Sequence, residues 1–196
     1  MTESKHDVNG LILAGGASSR MGMDKSLLDY HGQPQREYLF SLLQPVCLKV
    51  FLSCSNATGV PQHLNPIVDQ FDIKGPMNGI LSAFSNDNKR ALLTLPVDMP
   101  NIDRNIIMYL LSGRDPSATA TCFYDSAGVD PEPLVAIWEP RAVTMLMEDM
   151  QKGRTSPRDF LRRNRVKLLR PPTPLFHVNV NSPEDLRKYT KPPYSS

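Results

Sequence analysis

The stretch Gly10-Leu11-Ile12-Leu13-Ala14-Gly15-Gly16-Ala17-Ser18-Ser19-Arg20-Met21-Gly22-Met23-Asp24-Lys25 decides how the rest of the chain is read. Leu11 to Leu13 is an apolar run long enough for one buried strand. It stops at Ala14-Gly15-Gly16, where small residues let the backbone turn sharply and approach a ligand closely. Arg20 and Lys25 follow on either side of Gly22. A turn full of free N–H groups, flanked by two cations, suits a polyphosphate. Two common phosphate motifs fail on spacing. A P-loop runs Gly-x-x-x-x-Gly-Lys-Ser/Thr, whereas five residues separate Gly16 from Gly22 here, and Met23-Asp24 stand before Lys25. The dinucleotide fingerprint G-x-G-x-x-G is absent.

The whole chain sets wider limits. Its 196 residues, 40% hydrophobic and 21% charged, are enough for one globular domain with one sizeable core. We expect a single domain over 1–196, with flexible tails at 1–7 and 190–196. A net charge of +2 gives no argument for nucleic acid. No apolar run approaches a membrane span, and the opening MTESKHDVN lacks a secretory h-region. Cys47, Cys54 and Cys122 have neither paired nor metal-type spacing, which reads as reduced thiols in a cytoplasm. His6, His31, His63 and His177 are scattered and form no metal motif.

Beyond Lys25 the chain alternates strand and helix signals. Pro34 suits a helix start, with Tyr38, Leu39, Leu42 and Leu43 on one face. Val46 to Ser53 reads as a second strand, and Pro66-Ile67-Val68 as a third that ends at Asp69. Gly75-Pro76-Met77-Asn78-Gly79 opens a helix with Ile80, Leu81 and Phe84 inward. Ala91 to Leu95 is a buried strand running into Pro96-Val97-Asp98-Met99-Pro100. Asp103 caps a helix burying Ile106, Ile107, Leu110 and Leu111, and strands follow near 118–123 and 133–138. Val143, Leu146, Met147 and Met150 line another helix, and the methionines read as gap-filling core. Ser156-Pro157-Arg158-Asp159 and Ser182-Pro183-Glu184-Asp185 each have the order of a helix start. The alternation predicts an α/β fold: a three-layer, Rossmann-like, mostly parallel sheet with helices on both faces. Ligands bind such sheets beyond the carboxyl ends of the strands, where Gly15, Asp69 and Asp98 all fall.

Leu13 to Lys25 matches L-A-G-G-x-S-x-R-M-G-x-D-K at every fixed position. Over this stretch the chain resembles the molybdenum cofactor guanylyltransferases, a branch of the nucleoside-triphosphate transferase family. The resemblance extends to Gly75-Pro76-x-x-Gly79, to the Pro-x-Asp-x-Pro segment around Asp98, to Pro133-Leu134-Val135-Ala136 and to Asn179-x-Asn181-x-Pro183-Glu184-Asp185-Leu186. It implies transfer of GMP from GTP to the phosphate of molybdopterin, with release of pyrophosphate. It implies Mg²⁺ as cofactor, held by Asp98 and Asn181. It places Leu13, Ala14, Gly15, Gly16, Lys25, Asp69, Gly75, Pro76 and Asp98 beside the nucleotide, with Lys25, Arg20 and Asp98 as the catalytic set. It also implies transient contact with cofactor-biosynthesis or apoenzyme partners. Nucleotidyltransferases that use CTP, or sugar or alditol phosphates, and silent nucleotide-binding regulators remain the alternatives. Retention of Lys25, Asp98 and Asn181 together argues against a silent module.

The residue types suit the chemistry. One or two carboxylates are enough to hold Mg²⁺ on phosphate oxygens, and an amide oxygen can join them. Lysine offers a point charge and arginine a fork, or alternatively a brace for the loop. The basic run Arg154, Arg158, Arg162, Arg163, Arg165, Lys167, Arg170 carries Asp159 as its one acid. It reads first as a solvated face, and second as a dock for an anionic acceptor. Asn, frequent in the family after the second strand for the base, is replaced here by Ser53-Cys54-Ser55-Asn56. Base reading is therefore assigned to Gly15, because a side chain there would crowd a purine lying on the backbone.

Overall fold

The structure, a computed structural model, describes residues 5–15 and 24–190. Seven strands form one sheet: β1 (Val8–Leu13), β2 (Val50–Cys54), β3 (Pro66–Val68), β4 (Ala91–Pro96), β5 (Ala120–Tyr124), β6 (Pro131–Trp138) and β7 (Val166–Leu169). Their order is β3-β2-β1-β4-β6-β5-β7, and β6 alone runs antiparallel to its neighbours. The helices are α1 (Gln35–Leu43), α2 (Pro76–Asn86), α3 (Arg104–Ser112), α4 (Ala142–Gln151), α5 (Pro157–Arg163) and α6 (Pro183–Thr190).

Strands buried on both faces read as unbroken apolar runs, and β1 and β4 are buried at every position. Successive side chains then feed two cores. Ile12, Leu93 and Leu95 join Leu39 and Leu43 of α1 and Ile106 and Leu110 of α3. Leu11, Leu92 and Trp138 join Ile80 and Phe84 of α2, Leu146 of α4 and Phe160 of α5. The expected three-layer arrangement is present, with helices on both faces of a mostly parallel sheet. Among the described residues no helix is long and apolar enough to cross a membrane.

Several expectations hold in detail. Asp103 caps α3 by accepting Ile106 N–H at 2.9 Å. Ser156 caps α5 by accepting Asp159 N–H at 3.2 Å. The second strand is shorter than the sequence suggested. Val46 and Cys47 are buried, but as the exit of α1, where Cys47 N–H donates to Leu43 O at 2.8 Å. Their apolar character comes from plugging the end of a helix, and pairing in β2 starts at Val50. Of the expected tails, residues 1–4 and 191–196 lie outside the described residues. Within 5–7, His6 N–H donates to Val46 O at 2.9 Å and Asp7 pairs with Arg90.

Gly79 sets how closely α2 lies on the sheet. A Cβ there would come within 2.2 Å of Ser53 Oγ and 3.2 Å of Leu13 Cδ2. Both neighbours are buried strand residues with little room to move. We expect Gly79→Ala to cost about 1–3 kcal/mol, the usual penalty for overpacking a core. Urea unfolding checks this: the midpoint falls, and an unchanged midpoint would show that α2 can lift from β2 freely.

Candidate active site

Residues from both ends of the chain meet beyond the carboxyl ends of β1 and β4. Ala14 N–H donates to Ser53 O at 3.1 Å, and Val97 N–H donates to Leu13 O at 3.3 Å. The backbone leaving β1 is thus fixed on both sides. Lys25 follows Asp24, whose carboxylate accepts Ser26 N–H at 2.9 Å and starts a single 3-10 turn. The Lys25 ammonium donates to Asn181 Oδ1 at 2.8 Å and stands 3.9 Å from Asp98 Oδ2. Those side chains are largely enclosed, with 17% of Lys25 and 27% of Asp98 exposed.

Asp98 is held by its main chain, whose carbonyl accepts Val180 N–H at 2.8 Å. Its Oδ1 is buried without a hydrogen-bond partner among the described residues. Burial pushes the Asp98 carboxyl above its ordinary range, and the Lys25 charge pulls it back only in part. A buried carboxylate oxygen with no donor, near an amide oxygen held by the same ammonium, is a donor set a hard divalent cation accepts. Among the described residues no three His, Cys, Asp or Glu side chains form a metal cluster. The fit is therefore to an ion such as Mg²⁺, which takes one or two protein ligands and completes its shell with water or phosphate oxygens.

Asn181 sits where α6 begins. Asp185 Oδ2 accepts Asn181 N–H at 3.0 Å and Ser182 N–H at 2.9 Å, and Ser182 Oγ accepts Asp185 N–H at 3.1 Å. This reciprocal cap explains the Ser-x-x-Asp spacing. The helix is then latched to the Asp98 loop. Tyr189 donates to Asn101 Oδ1 at 2.8 Å, and its ring meets Tyr30 edge-on at 5.2 Å. His31 lies 2.9 Å from Pro100 O through Nε2 and stacks on Tyr38 at 3.7 Å. Burial, with Tyr189 and Asp98 adding, pushes the Tyr30 phenol up to about 12. These aromatic contacts escaped the sequence reading, because they join segments without any local signal.

The β1–β3 side of the crevice holds the other candidates. Gly15 lies against Asp69 and Ser53: a Cβ there would sit 3.6 Å from Asp69 Oδ2 and 3.7 Å from Ser53 Oγ, which is ordinary contact. Desolvation raises the Asp69 carboxyl, and a hydrogen bond from Ser53 opposes the rise. Gly75 has φ +95 and precedes Pro76 at the first position of α2. Buried Asn78 fixes the loop between Asp69 and Gly75. Its Nδ2 donates to Phe71 O at 2.6 Å and Ile73 O at 2.9 Å, and Ser82 donates to its Oδ1 at 3.1 Å. Sequence reading passed over Asn78, although a polar residue inside an apolar helical face was the available signal. Gly16 and Arg20, both expected in the site, lie outside the described residues.

The basic run near the C-terminus is largely neutralised. Arg154 and Arg163 both close on Asp149, Arg162 grips Asp130 at 2.6 and 2.7 Å, and Arg158 stands 3.4 Å from Asp125. The acids come from distant segments, which is why the run looked unpaired in sequence.

A glycine just past the end of β1, with a lysine and a carboxylate meeting at neighbouring strand ends, suits an enzyme that moves a nucleotidyl group, and the protein is a nucleotidyltransferase. Residues 10–168 match the family described as the MobA-like NTP transferase domain, and the chain belongs to that family. A molybdenum cofactor biosynthesis bifunctional protein of Synechocystis sp. is 33% identical over 192 residues, covering 94% of this chain and 55% of that protein. The chain thus spans about half the length of that relative. A molybdenum cofactor guanylyltransferase of Pseudomonas aeruginosa is 32% identical over 157 residues, covering 77% of this chain and 78% of that one. The crystal structure of molybdopterin-guanine dinucleotide biosynthesis protein A from Archaeoglobus fulgidus superposes with a TM-score of 0.75 at 20% identity, covering 93% of this chain and 96% of that one.

The raised Asp98 carboxyl has a consequence for stability. Between the ordinary carboxylate pKa and the raised one, the folded state binds more protons than the unfolded state, so stability falls as pH rises through that window. Above it, ionised Asp98 is a standing cost. Asp98→Asn should therefore melt higher than wild type at neutral pH in metal-free buffer, with the gain shrinking as pH falls towards about 4. Thermal melts of both proteins across that range check it. A variant that melts lower at neutral pH would mean that the Lys25 attraction outweighs burial.

Proposed function

We propose that this protein transfers GMP from GTP to the phosphate of molybdopterin. The observation that carries the reading is the meeting of Lys25, Asp98 and Asn181 at the strand ends that follow the matched motif. A binding module needs no charged cluster of this kind at the reacting phosphate. The names of the relatives, read together with that cluster, support guanylyl transfer over the CTP-using alternatives.

The reaction is an in-line displacement. An oxygen of the acceptor phosphate forms a bond to the α-phosphorus of GTP, the bond from that phosphorus to the bridging oxygen breaks, and pyrophosphate leaves with the electron pair. In our reading the Gly15–Gly16 turn receives the nucleotide against its backbone, with Leu13 and Ala14 as the floor, and Asp69, Gly75 and Pro76 border it. Lys25 and Arg20 face the charge on the triphosphate. Asp98 and Asn181 would hold Mg²⁺, which supplies charge neutralisation and alignment on the phosphate oxygens when bound. Lys25 reaches both groups, so it restrains their carboxylate and amide oxygens before substrate arrives. Gly15 reads the guanine edge through exposed main-chain groups. The cytoplasm is the compartment proposed, since it keeps the three buried free thiols reduced. Transient contact with cofactor-biosynthesis or apoenzyme partners completes the proposal.

Pyrophosphate release measured with GTP, CTP and ATP, each with molybdopterin and Mg²⁺, is the direct test. Turnover with GTP alone is expected; turnover with CTP in preference would overturn the assignment. Asp98→Asn should have no measurable turnover at saturating Mg²⁺. Lys25→Ala should lose ~10²–10³ in rate, the usual value of one donor facing developing charge, and Arg20→Lys far less. Near-wild-type rates in both cation variants would refute the cationic cradle. Gly15→Ala has room to fold and should lose its preference for GTP in nucleotide titrations. A retained preference would move base reading to the Ser53–Asn56 segment.

A further inference from the structure

The far side of the crevice holds a carboxylate that the scheme above does not use. In the β4–β6 ladder Leu92 faces Trp138, Leu93 faces Ile137 and Thr94 faces Ala136. Glu132 follows Pro131 at the start of β6, and Asp98 lies just past the end of the neighbouring β4, near enough for its charge to act on Glu132. Glu132 is only 8% exposed. Its Oε1 accepts Leu134 N–H at 3.1 Å. Its Oε2 makes no hydrogen bond among the described residues, and its ion-pair partner, Arg158, stands 3.6 Å away. Burial raises the Glu132 carboxyl and the Asp98 charge adds to the rise; Leu134 N–H, Arg158 and His177 pull it down.

A nearly enclosed carboxylate whose second oxygen carries only a long ion pair has acceptor capacity left for a ligand. It also excludes one kind of ligand. With Asp98 close by, Glu132 repels a phosphate, so it cannot dock the anionic end of an acceptor. It suits a neutral group that donates. The best geometric match is two adjacent N–H groups on a flat ring, as on the amino-lactam edge of a 2-amino-4-oxo heterocycle, which meets a carboxylate side by side as a guanidinium does. Guanine and pterin both carry this edge. Position separates them: Gly15 and Asp69 lie at the ends of β1 and β3, whereas Glu132 lies across β4 from them. The neighbouring His177 leaves a second acceptor. Its Nε2 is 2.8 Å from Tyr124 O, which can only accept, so that nitrogen carries the proton. Its Nδ1 is buried without a hydrogen-bond partner among the described residues.

We infer that Glu132 is a specificity-determining residue for the acceptor, binding the 2-amino-4-oxo edge of its heterocycle through the open Oε2. This rests on the acceptor reading given above. The test separates the two. The full chain is titrated with pterin and with lumazine, two fluorescent ring systems that differ by the 2-amino group. Wild type should bind pterin at least about tenfold tighter, the minimum for a hydrogen bond to a charged partner. Glu132→Gln should bring the two within about threefold while GTP affinity stays unchanged. Equal binding of the two by wild type, binding of neither, or an intact preference in Glu132→Gln each overturns the inference. So does a tenfold loss of GTP affinity in the variant, which would give Glu132 to guanine instead. The wild-type comparison needs no variant, so misfolding of Glu132→Gln cannot decide the matter. A pterin preference without any pyrophosphate release from GTP and molybdopterin would refute the proposed reaction and leave the Glu132 contact standing.

Discussion

The hydrogen bond from Lys25 to Asn181, with Asp98 3.9 Å from the same ammonium, is the contact on which the arrangement of the site depends. It joins positions 156 residues apart. Nothing local enforces it. β1 and β4 must be neighbours for Lys25 and Asp98 to meet, and the chain beyond β7 must return across the sheet for Asn181 to reach them. The return is secured by main chain, Val180 N–H on Asp98 O, and by the aromatic latch of Tyr189, Tyr30 and His31 around Pro100 and Asn101. A side chain on a strand end is positioned by the sheet, and one on a returning segment is positioned by its anchors. This site uses both, which places a precise group beside one that can yield.

Much of this was legible in the sequence, for physical reasons. Fully buried parallel strands lack alternation, so β1 and β4 stood out as continuous apolar runs. Helix starts announce themselves through caps, and Asp103, Ser156 and Ser182 were readable because the cap and its partner lie three residues apart. Contacts without such spacing were not readable. The length of β2 was misjudged because a buried helix exit and a buried strand have the same composition at Val46 and Cys47. The basic run between Arg154 and Arg170 gave no hint of Asp125, Asp130 and Asp149, since ion pairs across 5 to 33 residues leave no pattern. The carboxyl of Glu132 was hidden for the opposite reason: one acid among prolines in a strand carries no motif at all.

The neutralised arginines change what the acceptor half of the crevice can be. A face of unpaired cations would attract any polyanion. Arg162 and Arg163 instead hold α5 to its surroundings through Asp130 and Asp149, and Arg154 closes on the same Asp149. Surface pairs of this kind contribute little stability individually, and their effect here is on placement and on the field. With these arginines paired, Asp98 and Glu132 stand as the negative charges of that half of the crevice until a divalent cation or a substrate arrives. Selection of the acceptor then falls on hydrogen-bond pattern more than on charge. A site of that kind discriminates well, because a ligand lacking the matching donor leaves a buried acceptor unpaired.

The second glycine motif acquires a different meaning in this light. Gly79 belongs to the Gly-Pro-x-x-Gly turn that the resemblance places beside the nucleotide, yet its missing side chain is occupied by Ser53, not by ligand space. Ser53 in turn hydrogen-bonds Asp69, and Asp69 borders Gly15. The glycine therefore acts on the nucleotide side through a relay of one hydroxyl and one carboxylate. Any side chain at position 79 would displace Ser53 before it touched a ligand. Ser53 is already committed to α2 and to Asp69, and Asn56 is committed to its own turn, accepting Thr58 N–H at 2.8 Å. Both side chains are thus engaged in holding the frame of this wall.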